Sequence, residues 1–163
     1  MNRISKAADS IYNYQQTAVK IRQSVEGLPG DLLTWKPDAK AWSIQEIVGH
    51  LIDSNIINSY RIRKIISEPV TQIVTFQHES WVSNQQFGDT DISEMLNAYE
   101  AITRYNGLLL SKLSEEEWEK YGLKQEEPIT VAHIIDKFIC NHVDKHLGQI
   151  ERNKSEYAHC VQQ

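Results

Sequence analysis

Apolar residues recur at helical spacing in four segments, near residues 4–26, 43–66, 91–113 and 130–152. Turn-rich stretches separate these segments, and none shows a convincing two-residue alternation of apolar and polar side chains. The pattern predicts an all-α four-helix bundle. A chain of 163 residues is the usual size of one compact domain, so we expect a single domain over residues 1–163, with a polar tail that frays from about residue 153.

The predicted helices begin at residues that cap helix N-termini. Ser43 is followed three residues later by Glu46, which is the spacing of a capping box. Asp91 and Thr130 occupy the corresponding positions before the third and fourth helices. Ser114, also followed by an acid three residues later, indicates a short extra helix.

The segment 67–90 is long for a connection within a compact domain. Phe76 and Trp81 in this segment argue against disorder. At about 3.3 Å per extended residue, the segment could run the whole length of the bundle. A crossover between the second and third helices is therefore sterically possible, and a lid is the alternative.

Composition and charge exclude several classes of partner. The net charge is −5 with no basic stripe, which disfavours nucleic-acid binding. No apolar run approaches the roughly 20 residues of a membrane span, and the first residues do not resemble a signal peptide. The two cysteines form no disulfide framework. These features predict a cytoplasmic protein that does not bind membranes.

His142 and His146 are four residues apart, so both lie on one face of the fourth helix, about 40° apart. Apolar positions of that helix fall on the same side, and both histidines therefore face the bundle interior. Two core histidines satisfied by polar neighbours are the alternative interpretation. The intervening residues are not those of an H-E-x-x-H motif, which argues against a zincin protease.

His50 provides a third inward histidine, at the border of the apolar stripe of the second helix. Metal sites in bundles are assembled from facing helices in this way. Three histidines leave a coordination position open, where water could be activated or a thiolate held as a nucleophile. Asp53, one turn later, could orient a ligand imidazole or act as a base, or be an exposed helix acid.

Three further residues are candidates for contact with a substrate. Gln149 lies about one turn beyond His146, whereas His78 and Trp81 belong to the long crossover and could line the mouth of the pocket. A solvated loop histidine and a packing aromatic are the alternatives. His133 and His159 are excluded, since they are expected on another helix face and in the tail.

The chain resembles the DinB/YfiT-like superfamily through W-S-I-Q-E-I-V-G-H-L-I-D at 42–53 and H-V-D-K-H-L-G-Q-I at 142–150. Further similarity lies in W-K-P at 35–37, in the aromatic crossover and in I-T-V at the start of the fourth helix. The resemblance implies an up-down-down-up bundle with a long crossover. It also implies a divalent ion, zinc or nickel in many members, held by His50, His142 and His146, and a homodimer.

Relatives of this kind include thiol-dependent transferases, and some members are described as metal-dependent hydrolases. We therefore expect an enzyme that transfers a low-molecular-weight thiol to an electrophilic small molecule. Hydrolysis by metal-bound water is the related alternative. A non-catalytic, metal-stabilised binding bundle of the stress response is the alternative outside enzymes.

Overall fold

The computed structural model describes residues 3–162 of the chain, so Met1, Asn2 and Gln163 of the predicted domain lie outside the described residues. Its elements, in chain order, are α1 (Arg3–Val25), α2 (Gly30–Thr34), α3 (Ile44–Ser67), α4 (His78–Asn84), α5 (Ile92–Leu110), α6 (Glu115–Glu119), β1 (Tyr121–Lys124), β2 (Glu127–Thr130), α7 (Val131–His133) and α8 (His142–Val161). A π-helical segment (Ile134–Asn141) joins α7 to α8. The four long helical elements confirm the predicted bundle.

Helices α3 and α5 are adjacent and run parallel. Asn55 Nδ2 donates to Thr103 Oγ1 at 3.0 Å, and Ser59 Oγ donates to Asn106 Oδ1 at 2.8 Å. Because residue numbers rise together along both helices, the chain must return to its starting end between them. The segment after α3 makes that return, which confirms the predicted crossover.

The first and last long elements are also parallel to each other. Ser10 Oγ donates to Asp136 Oδ1 at 2.8 Å, and Lys20 Nζ lies 2.8 Å from Asp144 Oδ1.

Helix α3 runs antiparallel to α8. Asn153 Nδ2 donates to the carbonyl of Trp42, just before α3, whereas Ser54, further along α3, lies beside His142 at the start of α8. Taken with the two parallel pairs, this gives the up-down-down-up order that the resemblance implies.

A small antiparallel hairpin is an element that the sequence did not indicate, as are the short helices α2 and α4. Strands β1 and β2 pair Tyr121 with Thr130 at one end, and Leu123 forms a parallel bridge with Gln72 of the crossover. Each strand has four residues, which is too short for an alternating pattern to stand out. The hairpin holds the first part of the crossover against the bundle.

The predicted fraying tail from residue 153 is wrong, because α8 continues to Val161. The Asn153 amide is buried and bonded to the Trp42 carbonyl. Tyr157 packs edge-on against Trp35, with ring centroids 5.7 Å apart. These contacts tie the final turns to the chain just before α3.

The far end of the crossover is fixed by a close packing contact. Phe87 is buried against Gly49 of α3, where a Cβ atom would lie 2.5 Å from the aromatic ring. Gln45 Nε2 donates to the carbonyls of Phe87 and Thr90. This contact holds the end of the crossover against the turn of α3 that carries His50.

None of the helices in the described part of the chain is both long and apolar enough to cross a membrane. The predicted cytoplasmic location stays a prediction.

Candidate metal centre

The register of α3 places His50 in the interior. Ser43 Oγ accepts from the Glu46 N–H and the Glu46 carboxylate accepts from the Ser43 N–H, so the predicted capping box is present. His50 follows two turns later and is 5% exposed. The Trp42 indole packs on its ring at a centroid distance of 4.8 Å.

His142 and His146 occupy the first two turns of α8, immediately after the π-helical segment. Segments of π-helix are rare and are frequently found at functional sites. His146 is buried and His142 is partly buried. The two imidazoles stand nearly perpendicular, with centroids 4.5 Å apart.

The three imidazoles converge through their Nε2 atoms. His142 Nε2 lies 3.0 Å from His50 Nε2 and 3.0 Å from His146 Nε2. An imidazole nitrogen presents one hydrogen or one lone pair in its ring plane, so hydrogen bonds among the three cannot satisfy all of them. Three nitrogens on one tetrahedral zinc ion stand about 3.3 Å apart. The donor set therefore fits one shared metal ion.

The outer nitrogens of two rings are held by polar neighbours. His146 Nδ1 donates to Gln149 Oε1 at 2.9 Å, and His142 Nδ1 lies 3.4 Å from Ser54 Oγ. Because the Gln149 amide oxygen can only accept, His146 carries its proton on Nδ1, which leaves the Nε2 lone pair free for a metal ion. His50 Nδ1 is buried and has no hydrogen-bond partner among the described residues.

The environment keeps the histidines neutral. Burial, with the neighbouring His142 and His146, lowers the pKa of His50 to about 3. Burial and then His146 lower the pKa of His142 to about 4, and burial also lowers the pKa of His146. Metal ligation needs unprotonated imidazole, so the site is prepared for an ion at neutral pH.

A cavity of about 710 Å³ opens beside the three Nε2 atoms. Its wall is formed by α3, the crossover, the π-helical segment and α8, with contributions from β1 and the loop before α3. The lining is aromatic and polar, and its residues outside the histidine cluster include Trp42, Ser54, Asn58, Arg61, Phe76, His78, Glu79, Lys124, Lys137, Phe138, Lys145 and Gln149. This volume suits a small-molecule ligand.

The structure brings some of the predicted site residues to the cavity and not others. His78 and Gln149 line it, and the His78 ring lies 5.7 Å from the His50 ring. Trp81 packs against Phe76, itself a lining residue, rather than lining the cavity. Asp53 is buried, is not among the residues that line the cavity, and accepts a hydrogen bond of 2.6 Å from Gln85, a residue of the crossover.

Sequence reasoning missed the polar wall that α3 contributes. Ser54, Asn58 and Arg61 follow His50 at intervals of four, four and three residues, which places all four on one helix face. The continuation of polar residues from His50 along one face of the helix was the available signal.

The profile of the DinB superfamily matches residues 13–150 of the chain. Among curated proteins, none matches the chain significantly in sequence. A solved structure with a similar fold is YfiT from Bacillus subtilis, described as a probable metal-dependent hydrolase with an unusual four-helix bundle topology. The two chains superpose with a TM-score of 0.83 at 18% identity, over 95% of this chain and 90% of YfiT.

Proposed function

The chain belongs to the DinB superfamily, and from this membership and its three converging histidines we propose that it is a metal-dependent enzyme that transfers a low-molecular-weight thiol to an electrophilic small molecule. The observation that carries the proposal is the position of three neutral imidazoles in the wall of a cavity of about 710 Å³. A structural zinc ion normally takes four protein ligands, whereas three ligands beside a cavity leave room for a reactant.

His50, His142 and His146 are the residues that would hold the ion. Imidazole suits both zinc and nickel, and these are the two metals we propose. When bound, a divalent ion with an open position acts as a Lewis acid that favours the deprotonated form of a ligated thiol or water. Gln149 would fix the orientation of the His146 imidazole, and Ser54 that of the His142 imidazole.

The carboxylates near the site are already hydrogen-bonded, which favours a thiol over water as the nucleophile. Activation of water commonly uses a carboxylate base beside the metal. Among the described residues, Glu79 is the carboxylate that lines the cavity, and it accepts a hydrogen bond of 3.2 Å from Trp42 Nε1. Asp53, the base predicted from sequence, is held by Gln85 instead. A thiol ionises far more readily than water and needs less help from a base.

The thiol would have to come from a ligand. Burial, with nearby Asp136, raises the pKa of Cys140 to about 12, and this residue does not line the cavity. Cys160 lies in the last turns of α8, far along the chain from the histidines. The imidazole of His78, which lies at the cavity wall near His50, would accept the thiol proton.

Hydrolysis is the second candidate, because the structurally similar YfiT is described as a probable metal-dependent hydrolase. The same three histidines would then serve an ion that activates water.

The experiment is a screen of small thiols against model electrophiles, using protein reconstituted with zinc or nickel. We expect electrophile consumption that requires both thiol and metal, that is lost in His50→Ala and that is retained in His133→Ala. Consumption without any thiol would favour hydrolysis. If neither reaction occurs while the metal raises the melting temperature, the ion has a structural role and the enzyme proposal fails.

We also propose that the protein is a homodimer. Large apolar side chains are exposed on the adjacent helices α3 and α5, namely Ile56, Tyr60, Tyr105 and Leu108, each at least 47% exposed. Light scattering coupled to gel filtration should give twice the chain mass of 18.8 kDa. Leu108→Lys should shift the protein toward monomer, whereas Val161→Lys, at an equally exposed site, should not.

A further inference from the structure

The cavity beside the histidine cluster has a charge opposite to that of the whole chain. The chain carries 22 acidic and 17 basic residues. The cavity, by contrast, is lined by five basic side chains and one acidic one, Glu79, among the residues that the structure describes. The basic residues are Lys40, Arg61, Lys124, Lys137 and Lys145. Such local reversal of sign attracts anions to a cleft in an otherwise acidic protein.

These cations are not neutralised by the protein itself. In residues 3–162, the ion pairs involve other lysines and arginines, and none joins a carboxylate to the five cavity cations. Glu79 is already bonded to the Trp42 indole. The positive charges thus remain available to a ligand.

Two of the cations share an aromatic neighbour at a defined place in the cavity. The Arg61 guanidinium carbon lies 5.9 Å from the centre of the Phe138 ring, and Lys124 Nζ lies 5.8 Å from it. Lys137 is the residue next to Phe138. Phe138 precedes His142 by four residues, so this cationic end lies about one helical turn from the histidine cluster.

Arg61 is also held in place. Its Nη1 donates to Asn58 Oδ1 at 2.9 Å, and its Nε donates to the Val74 carbonyl at 2.9 Å. The guanidinium is therefore partly immobilised before any ligand arrives, which lowers the entropic cost of binding an anion. Lys145 adds a positive charge at the other end, where it disfavours protonation of His142 and His146.

We infer that this cavity binds a small molecule carrying at least two negative charges, with an anionic group held by Arg61, Lys124 and Lys137 and its reactive group toward the histidines. The inference rests on the proposed function for the role of the reactive group, but anion binding itself requires no metal. Carboxylate and phosphate groups share the required chemistry. Phe76 and Phe138 supply apolar contacts for the carbon skeleton between the charged ends.

The test is a titration of metal-free ¹⁵N-labelled protein with succinate, inorganic phosphate, acetate and the cation putrescine at low ionic strength. We expect succinate or phosphate to bind more tightly than acetate, and putrescine not to bind at the cavity. Amide shifts should be confined to the neighbourhood of Arg61, Lys124 and Lys137. Comparison of succinate with phosphate shows which anionic group the cavity prefers.

A double variant, Lys124→Gln with Lys137→Gln, removes two exposed charges without touching the core. We expect roughly tenfold weaker binding of the dianion, since each partly exposed contact contributes a factor of a few. Lys112→Gln, an exposed lysine outside the cavity, should bind as the parent does. The inference is overturned if the parent does not bind a dianion, if the amide shifts are spread over the protein, or if the double variant binds the dianion as tightly as the parent.

Metal content separates this inference from the proposed function. The double variant keeps all three histidines, so it should bind zinc or nickel as the parent does. If the parent binds no metal but metal-free protein still binds the dianion, the proposed function fails and this inference stands. If the protein binds metal but not the dianion, this inference fails and the metal centre stands.

Discussion

Replacing Gln149 by leucine tests how the hydrogen bond to His146 tunes the metal centre. Gln149 Oε1 accepts from His146 Nδ1 at 2.9 Å, which fixes the tautomer that leaves Nε2 free. Removing such a partner of a ligand histidine lowers metal affinity about 10- to 100-fold. Gln149 is only partly buried, so water can replace part of the lost bond. We therefore expect the lower end, about tenfold or about 1.4 kcal/mol.

The assay is a competition titration of metal-free protein with a chromophoric chelator and zinc. Gln149→Glu restores an acceptor and should bind zinc at least as tightly as the parent. Gln23→Leu, the same substitution at an exposed site on α1, controls for added surface apolarity and should leave affinity unchanged. Equal zinc affinity in Gln149→Leu and the parent would refute the role given to this hydrogen bond.

Three further predictions concern stability, measured by chemical denaturation of metal-free protein. Gly49→Ala should destabilise the fold by about 1–3 kcal/mol, because the added Cβ meets the Phe87 ring; an unchanged midpoint would contradict this packing. Tyr14→Phe should cost about 1–3 kcal/mol, because the buried hydroxyl donates to one asparagine and accepts from another; a neutral effect would show that these amides find other partners. Stability should be highest above about pH 6.5, the ordinary histidine pKa, and fall with acidification. In the unfolded chain both histidines bind protons near pH 6.5, whereas in the folded protein the pKa of His50 is about 3 and that of His142 is about 4. On acidification between these values, each histidine lowers the free energy of unfolding by up to about 1.4 kcal/mol per pH unit. A flat profile from pH 6.5 to 4 would contradict the buried neutral state.

The bundle could be predicted because its helices carry strong local signals. The capping residues Ser43, Asp91 and Thr130 all bond the first turn of the helix that follows, as the sequence indicated. The length and aromatic content of segment 67–90 indicated an ordered connection, and the resemblance to the superfamily implied that this connection is a crossover. Helical periodicity then placed His50 and His146 inside.

The features that were missed depend on contacts between distant parts of the chain. Asp53 was expected near the metal from its spacing to His50, but Gln85 of the crossover binds its carboxylate. The end of α8 depends on Trp35 and Trp42, more than a hundred residues earlier. The basic side chains of the cavity include Arg61 of α3, Lys124 of β1 and Lys137 of the π-helical segment. No single stretch of sequence shows that these residues come together.

The most direct test of the central claim is the metal content of protein purified without chelator, measured by elemental analysis beside two variants. We predict about one zinc or nickel ion per chain in the parent and in His133→Ala, whose histidine lies outside the cluster. His146→Ala should lose most of the metal while keeping its helical circular dichroism. Stoichiometric metal in His146→Ala, or a parent protein that takes up neither metal on reconstitution, would contradict a three-histidine metal centre.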